Sequence, residues 1–124
     1  MKVTKEKQKF SFERLDVWQK AVQLYVEIDQ LTKRFPKAEQ YGLTAQLRNS
    51  ALSVSLNIAE GAGRVHKKEF KQFIGIARGS LFETASNLYA CRELSLINGD
   101  ELDYLTDQSV TIAKMLNALR NSLN

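Results

Sequence analysis

Apolar residues recur along this chain at intervals of three and four, the period that gathers them on one face of an α-helix. The series Val17, Ala21, Leu24, Ile28, Leu31, Phe35 runs beside a second one, Leu15, Trp18, Val22, Tyr25. Together they predict a helix from near Phe12 or Glu13 to about Arg34, with an apolar face wider than a two-helix seam requires. Its second stripe, with Trp18 and Tyr25, belongs either to a bundle core or to a contact with another subunit. Phe35-Pro36 ends this helix, because the residue before proline is pushed out of the α region. Leu47, Ala51, Val54 and Ile58 predict a second helix from Leu43 to Glu60. Gly61 and Gly63 then break the pattern in a turn that reaches His66. Phe70, Ile74, Ala77 and Leu81 predict a third helix from Lys67 to Ile97, stopped by Asn98-Gly99. Asp100 is an N-cap candidate for the fourth, whose stripe is Leu102, Leu105, Ser109, Ile112, Leu116, Leu119, Leu123.

Four long helices with short connections predict an all-α fold, an antiparallel up-down-up-down four-helix bundle over residues 12–124. Residues 1–11 are lysine-rich and without periodicity, and they read as a flexible basic arm. One proline, scattered β-branched residues and a length of 124 residues argue against strands and for one domain. A single cysteine, Cys91, cannot form an intramolecular disulfide. With no secretory signal and no apolar run of membrane-spanning length, a cytoplasmic location is the expectation.

Charge is unevenly spread. Residues 1–44 carry nine basic and six acidic side chains, residues 45–78 six and two, and residues 79–124 three and six. The basic excess therefore lies away from the C-terminal third, which favours an anionic partner, nucleic acid foremost. Its densest part is Arg64, Lys67, Lys68, Lys71 and Arg78, opposed only by Glu69. Lys67, Lys71 and Arg78 share a helix face, and as candidate phosphate contacts they suit RNA binding that is salt-dependent and sequence-tolerant. A solvated surface stripe is the bland alternative.

Catalytic chemistry finds little support. One His and one Cys cannot complete a zinc site, and Glu-x-x-His, the ligand pattern of di-metal bundles, is absent. Gly61-Ala62-Gly63 follows a helix rather than a strand, so it is no nucleotide loop. No enzyme activity, cofactor or metal is expected. The polar residues at the borders of helices two and three instead suggest structure. If the hairpin turns near residue 64, Arg48 and Glu83 face each other, and a register-locking ion pair between them is expected; a phosphate contact by Arg48 is the rival. Asn57 could bond across the bundle, cap a helix or meet a second chain. Gly75 and Gly79, four apart with Ser80 beside them, suggest a tight helix contact within the bundle or between protomers.

The runs FERLDVWQKA, FP…YGLTAQLR, NIAEG and IARGSLFE resemble the bacterial four-helix-bundle proteins of the 23S rRNA intervening-sequence family. That family includes the accessory variability determinant proteins of diversity-generating retroelements. The resemblance spans about residues 12–123. It implies an antiparallel bundle, assembly into a homopentameric ring with a basic surface, and RNA as partner. It also implies a rival role as an accessory scaffold that docks a reverse transcriptase or another protein. Where the family often has two successive arginines after Gln-Leu, Asn49 follows Arg48 here.

Overall fold

The computed structural model describes residues 8–124, and most of the expected N-terminal arm, residues 1–7, lies outside them. Among the described residues the regular structure is helical: α1 (Asp16–Thr32), α2 (Leu43–Ala62), α3 (Lys67–Glu93) and α4 (Gly99–Ser122), with short 3-10 turns at Ser11–Arg14 and Lys37–Glu39. Residues 8–11 are not free of the bundle. The Glu13 carboxylate accepts the Phe10 amide at 3.0 Å, and Ser11 Oγ donates to the Ala62 carbonyl at 3.4 Å. Phe10 and Phe12 stack. The first helix starts later than expected because Leu15 is extended, at φ −83° and ψ 115°.

Cross-helix contacts fix the direction of each neighbour. Ser53 meets Ser80 and Ser50 meets Thr84, so α2 and α3 run antiparallel. Glu27 accepts from Tyr104 and Arg34 pairs with Glu101, so α1 and α4 do the same. The core they enclose follows the stripes. Val17, Ala21, Leu24 and Ile28 of α1 meet Leu47, Ala51, Val54 and Ile58 of α2, with Ile74, Ala77, Leu81 and Leu88 of α3 and Leu105, Ile112 and Leu116 of α4. Trp18 and Tyr25 are half-buried and pack against this core within the protomer, Trp18 also against the Phe12 ring at 4.7 Å.

Both glycines of the α2–α3 turn depart from expectation. Gly61 is helical and buried, and a Cβ there would lie 2.7 Å from Phe73 Cβ and 2.9 Å from Phe70 Cδ1. It is glycine because two helices converge, not because the chain turns. Gly63 caps α2 with right-handed dihedrals.

The end of α3 is also earlier than expected. Ser95 takes φ 59°, its amide bonds to Arg92 O at 3.0 Å and the Leu96 amide to Cys91 O at 2.9 Å. This is a Schellman closure with serine where glycine is usual. A left-handed non-glycine residue is strained by about 1–2 kcal/mol, so Ser95→Gly should raise stability by up to about 1 kcal/mol after the entropy of a freer unfolded chain is subtracted. A urea unfolding curve shifted to higher midpoint at unchanged slope is the expected result. The cap of α4 is Asn98, not Asp100: its side chain accepts the Glu101 amide at 2.8 Å, and Glu101 returns the bond to the Asn98 amide at 2.9 Å. Glu101 also takes a bidentate bond from Arg34, at 2.6 and 2.5 Å, which holds its carboxyl below the usual carboxylate range.

Candidate nucleic-acid interface

The borders of α2 and α3 carry small polar residues that meet each other. Ser53 and Ser80 hydroxyls are 2.9 Å apart, and Thr84 Oγ1 lies 3.0 Å from Ser50 Oγ and 2.8 Å from Ser80 O. Asn87 Nδ2 donates to Ser50 Oγ at 3.4 Å. A slipped register would strand these hydroxyls, so the seam ties α2 to α3 in one alignment. Asn57 resolves to a bond within its own helix, donating to Ser53 O at 2.8 Å and Ser53 Oγ at 2.9 Å.

The expected Arg48–Glu83 pair does not form. Arg48 instead reaches Asp29 of α1, with Nη2 at 2.7 Å from Oδ1, and Glu83 is exposed without an ion pair among the described residues. The register is offset from the one that a turn near residue 64 implies: Ser50 meets Thr84 and Ser53 meets Ser80, which sets Arg48 level with Ser86 rather than Glu83, and its side chain faces α1. Half-exposed, this pair contributes on the order of 0.2–1 kcal/mol. Glu60 pairs loosely with Arg64, one helical turn on, at 3.6 Å.

The five expected phosphate contacts divide by position. Arg64 is engaged: it lies 3.6 Å from both Glu60 and Glu69, and its guanidinium sits over the Phe73 ring at 4.8 Å. Lys67 and Lys68 are exposed at the start of α3, with no ion pair among the described residues. Lys71 donates to the side chain of Asn124, a neutral partner that leaves its charge uncompensated. Arg78 lies further along α3, its guanidinium 4.5 Å over the Phe82 ring, and its Nε is buried without a hydrogen-bond acceptor among the described residues.

Arg78 opens onto a groove between α3 and α4 of about 330 Å³, which Phe82, Tyr89, Val110, Ala113 and Lys114 also line. Phe82 and Tyr89 are 54% and 57% exposed, too much for side chains whose purpose is the core. The sequence reading passed over both, and Lys114 with them. The signal was present, for Phe82 follows Arg78 by four and Tyr89 follows Phe82 by seven, continuing the Lys67–Lys71–Arg78 stripe. Gly75 and Gly79 face open space, where an added Cβ would meet nothing within 4 Å. Among the described residues, the tight contact they suggested within the bundle is therefore not made. Leu56 and Ile76 are more than half exposed.

The remaining chemistry is sparse. Among the described residues no three His, Cys, Asp or Glu side chains gather to hold a metal, and no helix is long and apolar enough to cross a membrane. Cys91 is fully buried, and burial pushes its thiol up to about 11. Because the thiolate is the reactive form, Cys91 should resist maleimide at neutral pH in the folded protein and label promptly in urea, as mass spectrometry would show.

The profile of the 23S rRNA-intervening sequence protein family matches residues 13–118. A solved structure of a protein of unknown function from the S23 ribosomal protein family of Bacteroides thetaiotaomicron superposes with a TM-score of 0.79. It is 22% identical, and the alignment covers 85% of this chain and 95% of that one. At that identity the likeness speaks to the fold. No curated protein matches the sequence at a significant level.

Proposed function

Since the chain belongs to the 23S rRNA-intervening sequence protein family, we propose that it is a non-enzymatic, oligomeric bundle that binds structured RNA in the cytoplasm, through phosphate contacts made by α3. One observation carries this reading: Lys67, Lys71 and Arg78 lie on one stripe of α3 and none is paired with a carboxylate among the described residues. Lys68 adds a fourth cation at the turn. Arg64 contributes less, because Glu60 and Glu69 already offset its charge. Uncompensated cations aligned along a rigid rod can neutralise successive phosphates, and affinity then comes from released counterions.

Self-association is part of the proposal. Gly75 and Gly79 leave the outer face of α3 bare enough for another helix to approach, with exposed Leu56 and Ile76 to bury beside it. A ring of five 14.1-kDa chains would repeat the cationic stripe around its surface. Light scattering on a size-exclusion column should then report a multiple of the protomer mass.

RNA binding itself is tested by fluorescence anisotropy with a labelled RNA hairpin across a salt series. Four phosphate contacts per bound protomer imply a loss of about 10²-fold between roughly 50 and 200 mM salt. Affinity that does not change with salt would remove the phosphate contacts from the account.

A further inference from the structure

We propose that the α3–α4 groove receives unpaired nucleotides of the bound RNA, their bases against Phe82 and Tyr89 and their phosphates against Arg78 and Lys114. This rests on the RNA-binding reading above and narrows it. Along α3 the residues Lys67, Lys71, Arg78, Phe82 and Tyr89 follow one another at spacings of four, seven, four and seven, so they form a single stripe. Its first half is cationic and its second aromatic. Phe82 and Tyr89 stand about 10 Å apart along the helix axis. That is roughly three times the 3.4 Å rise between stacked bases, so the two rings suit bases drawn apart from one another rather than neighbours in a helical stack.

Charge decides between occupants. Arg78 and Lys114 line the groove and, among the described residues, no carboxylate does. Beyond its mouth Lys71 and Lys67 extend the cations over about 16 Å of α3. A strand with a charge at every residue compensates all four, and its bases can cover the apolar floor. A duplex could meet the lysines but could not offer base faces to the rings, since its bases are stacked inside. An amphipathic protein helix would cover the floor yet leave most of the cation row unanswered. The exposed rings and the guanidinium stacked at 4.5 Å on Phe82 are the kinds of plane on which splayed bases stack, with little sequence preference.

The test compares the wild type with a Phe82→Leu/Tyr89→Leu variant, which keeps the surface apolar but removes the rings. Both positions are more than half exposed, so circular dichroism should show an unchanged helix content. Anisotropy is read for labelled oligoadenylate and for a blunt RNA duplex at low salt. The expected result is tighter wild-type binding of oligoadenylate than of duplex. The variant should lose roughly 5- to 100-fold for oligoadenylate, with duplex affinity unchanged. Undiminished oligoadenylate binding by the variant overturns the groove assignment, and so does displacement of oligoadenylate by an acidic amphipathic peptide without loss of duplex binding. Binding of neither RNA overturns the groove and the RNA-binding reading together.

Discussion

Adding one methyl group at Gly61 is expected to destabilise the protein by about 1–3 kcal/mol, although the same change raises helix propensity by about 1 kcal/mol at an open site. The new Cβ would stand 2.7 Å from Phe73 Cβ, an atom fixed to the backbone of α3, and 2.9 Å from the movable ring of Phe70. The ring can turn away. The Cβ cannot, so the end of α2 and the start of α3 must separate, and the packing of Ile58 and Ile74 loosens with them. Gly75→Ala and Gly79→Ala are the controls, because nothing lies within 4 Å of the added atom. Each should stabilise an isolated protomer by about 0.5–1 kcal/mol. Urea unfolding of the three variants at one protein concentration checks the contrast. Gly61→Ala as stable as Gly75→Ala would mean that the convergence of the helices is looser than described. Should Gly75→Ala or Gly79→Ala lower the assembled mass while stabilising the protomer, the outer face of α3 is where subunits meet.

The second large effect concerns charge. Lys67→Glu, Lys68→Glu and Lys71→Glu made together should weaken RNA binding by at least about 10²-fold at low salt, since three phosphate contacts are lost and three repulsions added. Stability should change little, because Lys67 and Lys68 are exposed and Lys71, among the described residues, bonds to the neutral Asn124 side chain. Reversal of Lys33 and Lys37, at the α1–α2 end of the bundle, is the comparison that separates a local contact from a general dependence on net charge. Equal losses at the two ends would dissolve the interface into nonspecific attraction.

How far the sequence disclosed this molecule depends on what each residue answers to. Val17 to Ile28 and Leu47 to Ile58 were legible because helical period and burial are the same fact seen twice, and each of those stripes lies in the core. Helix ends were less legible. Asn98 rather than Asp100 caps α4 because the capping box needs a Glu three residues on, and Glu101 supplies it. The close of α3 at Ser95 was hidden, since a left-handed serine has no composition signal. Gly61 misled for a physical reason: a glycine demanded by a converging helix and one demanded by a turn look alike in a sequence. Arg48 shows the limit of spacing arguments. A turn placed near residue 64 set Arg48 level with Glu83, whereas Ser50 opposite Thr84 sets it level with Ser86, and spacing says nothing of the side of α2 from which Arg48 reaches Asp29. For the proposed interface, the cationic residues were legible as a cluster, but their division was not. Only side-chain positions show that Arg64 turns to Glu60 and Glu69 while Arg78 lies over Phe82.

The account stands on α3 presenting uncompensated cations to phosphates, and the slope of RNA affinity against salt counts those contacts. Measured by anisotropy on a double-stranded RNA hairpin, the slope for a Lys67→Ala/Lys71→Ala variant should be shallower than that of the wild type by nearly two units of log affinity per log salt, about 0.9 for each contact removed. Identical slopes for the two proteins would contradict it.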